Sequence, residues 1–433
     1  MLGSLHSSSS SDTDNNSGGC RNNGGRETAV GGGGGGGGRS LAAAPSTRNL
    51  LLACADLLQR GDLPAARRAA EIVLSAASPR GDAADRLAYH LARALVLRVD
   101  AKAGHVIVDS PVVLPVSARP ASSGAYLAFN QIAPFLRFAH LTANQAILEA
   151  IDGARRVHIL DLDAVHGVQW PPLLQAIAER ADPALGPPEV RITGAGADDD
   201  TLLRTGSRLR AFARSIHLPF HFTPLLLSCA TRPHVAGTST AGAARTASSA
   251  ATGLELHPDE TLAVNCVMFL HNLCGHDELS AFLRWVKAMS PAVVTIAERE
   301  AGGGGGADYI DDLPRRVGVA MDHYSAVFEA LEATMPPGSR ERLAVEQEVL
   351  GREIDAAVAP SGGRWWRGIE RWGAAARGAG FAARPLSAFA VSQARLLLRL
   401  HYPSEGYLVQ DARGACFLGW QTRPLLSVSA WQS

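Results

Sequence analysis

The apolar positions between residues 46 and 151 recur at helical spacing. Leu50, Leu51, Cys54, Leu57 and Leu58 fall on one side of a helix that Ser46 or Thr47 can cap and Gly61 ends. A second helix follows Pro64, with Ala69, Ile72, Val73 and Ala76 on one face and Pro79 and Gly81 as its stop. A third begins near Asp82 and sets Leu87, Leu91 and Leu95 at i, i+4, i+8. Tyr126 to Ile151 carries two more helical runs. The stretch ACADLLQRGDLPAARRAAEIVL looks like one helical-repeat unit, but it does not recur after about 34 residues, so a solenoid is rejected.

From Val157 the period changes. VHILDL is a continuous apolar run with β-branched residues, the pattern of a buried parallel strand. A helix opens at Pro171, and the chain then alternates strand 189–193, helix 201–216, strand 220–226, strand 261–267, helix 278–289 and strand 292–298. Helices follow at 309–333, 340–357 and 364–378. The tail reads FAARPL, a short helix near 391–400, then EGYLVQD, ACFLGW and LLSVSAW, close enough for antiparallel hairpins. The expected fold is α/β: a Rossmann-like, methyltransferase-like doubly wound sheet with an antiparallel C-terminal hairpin and an N-terminal helical cap.

Residues 1–45 are rich in Ser, Asn and Gly and cannot bury enough apolar surface to offset ordering entropy, so a disordered leader is expected there. The folded domain is expected over 46–433, as a helical cap (46–151) and an α/β core (152–433) with a low-complexity insert at 229–253. A short glycine tract at 302–306 is read as a surface loop. The 433 residues hold 41 Lys+Arg and 41 Asp+Glu, so formal charge cancels, and a polybasic, histone-like protein is excluded. All basic residues but Lys102 and Lys287 are Arg, so local clustering matters more than the mean. Six cysteines are too sparse for a disulfide scaffold. No run approaches the roughly 20 apolar residues that span a bilayer, and the N-terminus lacks signal-peptide character. A soluble intracellular protein with reduced thiols and no membrane partner is expected.

The strongest local pattern is VHILDLDAVHGVQWPPLLQAIAE (157–179), a strand, a turn and a helix where nucleotide-binding α/β folds hold their ligand. Close approach of a dinucleotide needs several glycines, and here Gly167 stands alone. The strand after it ends in Thr193-Gly194-Ala195-Gly196 rather than in an acidic residue for ribose. A structural turn is favoured over a cofactor site, with Asp161 bonding to neighbouring loops and Trp170 packing the helix on the sheet. No cofactor is expected. Asp161 and Asp163 lack a third oxygen ligand, and Cys266, His271, Cys274 and His276 lack zinc spacing, so no metal is expected either. No catalytic motif points to an enzyme. Arg204, Arg208, Arg210 and Arg214 share one helix. Arg364, Arg367 and Arg371 interleave with Trp365, Trp366 and Trp372 as a candidate phosphate-contacting stripe, against the alternative of an ordinary amphipathic helix.

Several blocks resemble the plant GRAS family of transcriptional regulators. Val157-His158-Ile159-Leu160-Asp161 is similar to its VHIID motif, followed by the same Gly167-x-Gln169-Trp170-Pro171 turn. Met321 to Phe328 and Gly351-Arg352-Glu353-Ile354 resemble the two parts of its PFYRE block. Trp372 with Gly380, then Gly419-Trp420 and Ser429-Ala430-Trp431, resemble its SAW region. The blocks run in family order across 46–433 and look most like the lateral-suppressor branch. The resemblance implies a nuclear, non-enzymatic regulator of axillary meristem initiation, shoot branching and tillering. It implies partner binding through the leucine-rich helices (Leu50, Leu57, Leu87, Leu91, Leu95) and the 157–171 block. It also implies DELLA-type GRAS partners, homo- or heterodimers through the helical cap, and direct DNA contact in some relatives. No Lys/Arg-rich import tract is present, so nuclear entry rests on the family or on a partner. Residues 1–45 carry no DELLA-type degron motif, so hormone-triggered turnover of that kind is not expected.

Overall fold

A computed structural model describes residues 46–104, 123–164, 166–226, 254–273, 275–300, 312–359 and 368–433. The expectations for the leader, the 229–253 insert and the 302–306 tract fall outside these residues.

Helices α1 (Thr47–Arg60), α2 (Leu63–Ala76) and α3 (Ala83–Lys102) begin where the sequence offers an acceptor. The Ser46 hydroxyl and the Asp62 and Asp82 carboxylates each accept a backbone N–H of the first turn. Gly61 ends α1 at φ 87°, a left-handed conformation that glycine adopts without strain. Helices α4 (Ser123–Ile132) and α5 (Phe135–Ala150) follow.

The sheet is assembled from β1 (Arg156–Asp161), β2 (Glu189–Gly196), β3 (Phe220–Leu226), β4 (Thr261–Val267) and β5 (Val293–Arg299), with α6 (Trp170–Glu179), α7 (Asp199–Ser215) and α8 (Gly275–Ala288) between them. Helices α9 (Leu313–Thr334), α10 (Arg340–Ala344), α11 (Gly351–Val358) and α12 (Ile369–Gly378) come next, with a π-helical turn, Val345–Leu350, between α10 and α11. The chain closes with β6 (Ala382–Arg384), α13 (Ala388–His401), β7 (Tyr407–Ala412), β8 (Ala415–Trp420) and β9 (Arg423–Gln432). Strand order is β3-β2-β1-β4-β5-β9-β8-β7, with β6 paired to β9. The first five strands are parallel, and β9, β8 and β7 form an antiparallel meander. This is a Rossmann-like sheet whose topological switch lies between β1 and β4. Helices α5, α6 and α7 cover one face, and α8 and α12 the other.

The cap draws on both halves of the chain. Helices α1 and α3 pack against α9, and α3 also meets α11. Helix α5 instead lies on β4, β5 and β9, so it belongs to the sheet layer. The expected boundary at residue 151 therefore differs from the packing. Apolar periodicity marks which face of α5 is buried, but not what buries it.

Arginines stitch the cap to the later helices. Arg86 Nε donates to Glu346 at 2.9 Å, Arg86 Nη1 to Gly81 O at 2.7 Å, and Arg93 Nη2 to Asp355 at 2.7 Å. Both partners of the Arg86–Glu346 pair are almost wholly enclosed, with side-chain exposure of 2% and 1%. Among the described residues, no helix is long and apolar enough to cross a membrane.

Candidate functional site

Three polar residues interrupt the apolar strands at the switch point. Asp161, Asn265 and Thr295 are register neighbours across β1, β4 and β5. An unpartnered polar group at this depth would cost about 1–3 kcal/mol, and each one is satisfied by another. Asn265 Nδ2 donates to Asp161 Oδ1 and to Gln169 Oε1, both at 3.1 Å. Gln169 Nε2 donates to Asn265 Oδ1 at 3.1 Å and to Asn144 Oδ1 at 3.0 Å. Thr295 Oγ1 donates to Asn265 Oδ1 at 2.9 Å, and Trp170 Nε1 to Asp161 Oδ2 at 2.8 Å. Burial pushes the Asp161 carboxyl up to about 6, against the pull of the Asn265 and Trp170 bonds. At the strand ends, these side chains spend their polar groups on one another and form the floor of the crevice where such sheets hold a nucleotide.

The turn after β1 is built for close packing. Gly167 has φ +62°, and a Cβ there would meet Thr205 Cγ2 of α7 at 2.5 Å. Arg208 Nη2 donates to His166 O at 3.1 Å, which ties the turn to α7. The His166 ring stacks on Tyr126 of α4, with centroids 3.7 Å apart. Gly194 leaves no room for a ligand's approach: a Cβ there would meet Phe222 Cζ at 2.6 Å and Ala164 Cβ at 2.7 Å.

Above this turn lies a cavity of about 350 Å³. The family-like blocks, far apart in sequence, meet around it. The 161–170 turn contributes Asp161, Asp163, His166 and Trp170; the segment after β4 contributes Met268 and His271; α9 contributes His323 and Tyr324; the π turn and α11 contribute Glu348, Arg352 and Glu353; and β9 contributes Leu426. Helices α4 and α5 close it with Tyr126, Phe129, Phe135 and His140. The two parts of the PFYRE-like block come together at Glu353, which accepts the Tyr324 hydroxyl at 3.3 Å and pairs with Arg299.

Most residues expected to bind partners are inside the fold. Leu87, Leu91, Leu95, Val157, His158, Ile159, Leu160, Asp161, Gln169 and Trp170 are buried, while Leu50 and Leu57 are partly covered. These side chains therefore pack inside the fold and are not displayed on its surface. Their apolar character drives them into the core, and the motif's polar members follow because each finds an internal partner. His158 Nε2 meets Thr193 Oγ1 at 2.8 Å, and burial pushes its imidazole down to about 4. The SAW-like Trp372, Trp420, Ser429, Ala430 and Trp431 are buried as well, with Trp431 Nε1 donating to Ser429 Oγ at 3.0 Å, and Gly380 sits at φ +91° after α12. Pro171 lies in the first turn of α6.

The arginine stripes are not free rows. Arg208 is engaged as above, and Arg210 Nη2 donates to Phe222 O at 3.1 Å. Arg204 is exposed and bonds to Thr201 Oγ1 at 2.8 Å. Arg371 lies on α12, which begins only at Ile369, whereas Arg364 and Arg367 lie outside the described residues. His271 Nδ1 and the Glu298 carboxylate are 3.0 Å apart, and Cys266 is buried in β4. No cluster of metal-ligating side chains occurs among the described residues. The side chains of Cys274 and His276 lie outside them. Sequence reasoning missed Asn265, Thr295, Asn144 and Tyr126. For Asn265 and Thr295 the readable signal was a polar residue amid the apolar positions of TLAVNCV and VVTIAE.

The sequence model of the GRAS domain family matches residues 47–432, so the chain belongs to this family of plant regulators. Within it, the chain is similar to MONOCULM-type regulators. It is 87% identical over 393 residues to Protein MONOCULM 1 of Oryza sativa subsp. japonica, covering 90% of this chain and 88% of that protein. Scarecrow-like protein 18 of Arabidopsis thaliana is 40% identical over 421 residues, covering 89% of this chain and 91% of that protein. The crystal structure of SCL7 in Oryza sativa matches with a TM-score of 0.67 at 33% identity, over 90% of this chain and 100% of that one.

Proposed function

We propose that this protein is a nuclear, non-enzymatic regulator of transcription that controls axillary meristem initiation and shoot branching through protein partners. The observation that carries this reading is the packed switch point. Asp161, Asn265, Gln169 and Trp170 spend their hydrogen bonds on one another, where a cofactor-using α/β enzyme would turn them toward ligand. Likeness to MONOCULM 1 over 90% of the chain supports the branching role. The partners are other transcriptional regulators, including DELLA-type GRAS proteins, and the cap helices serve homo- or heterodimers. Direct DNA contact, where it occurs, uses Arg204 and the Arg364, Arg367 and Arg371 segment.

The test tethers the full chain to a reporter promoter and titrates purified protein with S-adenosylmethionine. Altered reporter output with no binding of the nucleoside supports the reading. Micromolar binding, lost in Asp161→Ala, would overturn it. Replacing Arg364, Arg367 and Arg371 with Gln tests the DNA route. A weaker affinity and a shallower salt slope are expected, and an unchanged slope removes that segment from it.

A further inference from the structure

Two backbone irregularities converge on the cavity between the cap and the sheet. Met268 follows β4 at φ 53°, a left-handed conformation that costs a side-chain-bearing residue about 1 kcal/mol or more. The other non-glycine residues with positive φ, His217, Ser290, Arg413 and Gln421, sit after helices or in hairpin turns. Met268 instead ends a central parallel strand, where its N–H donates to Ala297 O at 2.8 Å, and it lines the cavity. Opposite it, the π turn Val345–Leu350 presents Glu348, Val349 and Leu350 to the same space. Such turns are frequent at functional sites. A volume of about 350 Å³ falls in the range of small-molecule pockets.

The chemistry of the walls selects a ligand. Four carboxylates, Asp161, Asp163, Glu348 and Glu353, line the cavity against two guanidinium groups, Arg299 and Arg352. Arg299 is already held by Glu353. Two of the imidazoles add no positive charge near neutral pH: burial pushes His140 down to about 4 and His323 to about 3. The space is therefore acid-rich, and an entering carboxylate would meet like charge in a low-dielectric site. The rest of the wall mixes aliphatic side chains, such as Leu136, Met268, Val327 and Leu350, with aromatic ones that include the stacked Tyr126–His166 pair. Flat rings stack on aromatic faces, and cationic ones gain further attraction.

We propose that this cavity binds a flat nitrogen heterocycle, uncharged or singly cationic, and rejects carboxylates of similar size. The ligand would touch α4 and α5 on one side and the sheet ends, α9 and the π turn on the other. Its binding energy would thereby hold the helices of the cap against the core. The inference goes beyond the regulator reading and does not depend on it.

The test uses the full chain and three probes: 2-aminobenzimidazole, indole and 2-naphthoate. Thermal unfolding and ligand-observed NMR should detect the first two, with a midpoint rise of about 2 °C near saturation. The naphthoate should bind at least tenfold more weakly. Hydrogen exchange on the wild-type chain should show added protection in α4, α5 and 345–350. Val349→Phe, which fills part of the space, should weaken 2-aminobenzimidazole at least fivefold. If that variant does not fold, the wild-type exchange map still decides. No binding of either base, equal binding of the acid, or protection elsewhere on the chain overturns the proposal. None of these outcomes bears on the tethered reporter.

Discussion

The seam that joins the cap to the later helices and the polar row inside the sheet are both buried and both polar, yet they are made of different materials. The seam uses full charges: Arg86 with Glu346 and Arg93 with Asp355. The row uses amides and a hydroxyl, Asn144, Asn265, Gln169 and Thr295, arranged around one carboxylate. A buried ion pair gains little net energy but loses much when halved, because the surviving charge has no water. An amide network is neutral, and its cost on damage spreads over several short bonds. The seam therefore fails sharply and the row fails by degrees.

Breaking the seam should have the largest effect. Arg86→Met takes from Glu346 its closer partner, leaving Arg342 at 3.8 Å, and a loss of about 4 kcal/mol in urea unfolding is expected. Arg86→Met with Glu346→Leu should recover most of it, and a double variant as unstable as the single one would show that the pair does more than neutralise itself. In the row, Asn265→Leu removes two donors and an acceptor while keeping the branched shape in a bulkier side chain. About 3 kcal/mol should be lost, with the midpoint falling and the denaturant slope unchanged.

The pH dependence sharpens the contrast. Asp161 titrates near 3.8 when exposed and at about 6 when folded, so between those values the folded chain holds the extra proton. Its contribution to stability is full below 3.8 and is lost as pH rises through 6, by about 3 kcal/mol. Four histidines act in the opposite sense. Burial pushes His90 and His323 down to about 3 and His140 and His158 to about 4, so stability falls as pH drops below 6.5. Wild type should therefore lose stability on acidification, and Asp161→Asn should lose it more steeply. A variant deficit that does not grow between pH 7 and pH 4.5 would count against the raised carboxyl. The smallest effect belongs to the packing beneath the row. Gly206→Ala places a methyl 2.4 Å from Phe222 Cδ1. The overpacking of about 1–3 kcal/mol is partly offset by better helix propensity, leaving about 1 kcal/mol in the same unfolding measurement.

Much of this architecture is written in local pattern. The strands 220–226 and 261–267 match the expected bounds, because short apolar runs between polar segments leave little choice. The helix starts at Ser46 and Asp82 were visible as acceptors. Helix α9 begins later than expected, at Leu313, because Asp312 caps it, and the expected helix 340–357 is interrupted by the π turn, which no periodicity announces. The site was legible only in part. The 157–171 block drew attention as a turn with too few glycines. Its partners Asn265 and Thr295 are about a hundred residues or more away in sequence, and register alone brings them together. Nor could an apolar stripe on α3 disclose that α9 and α11 would cover it, since periodicity names a face and not its neighbour.

That last pairing sets a clock. Arg86 and Glu346 are 260 residues apart, so the guanidinium emerges from the ribosome long before its carboxylate exists. At about 5–20 residues per second, the first three helices wait roughly 13–50 s for the segment that completes them. During translation their leucine faces are unfinished surface, and whatever shields them in that interval acts before the protein has any regulatory surface to offer.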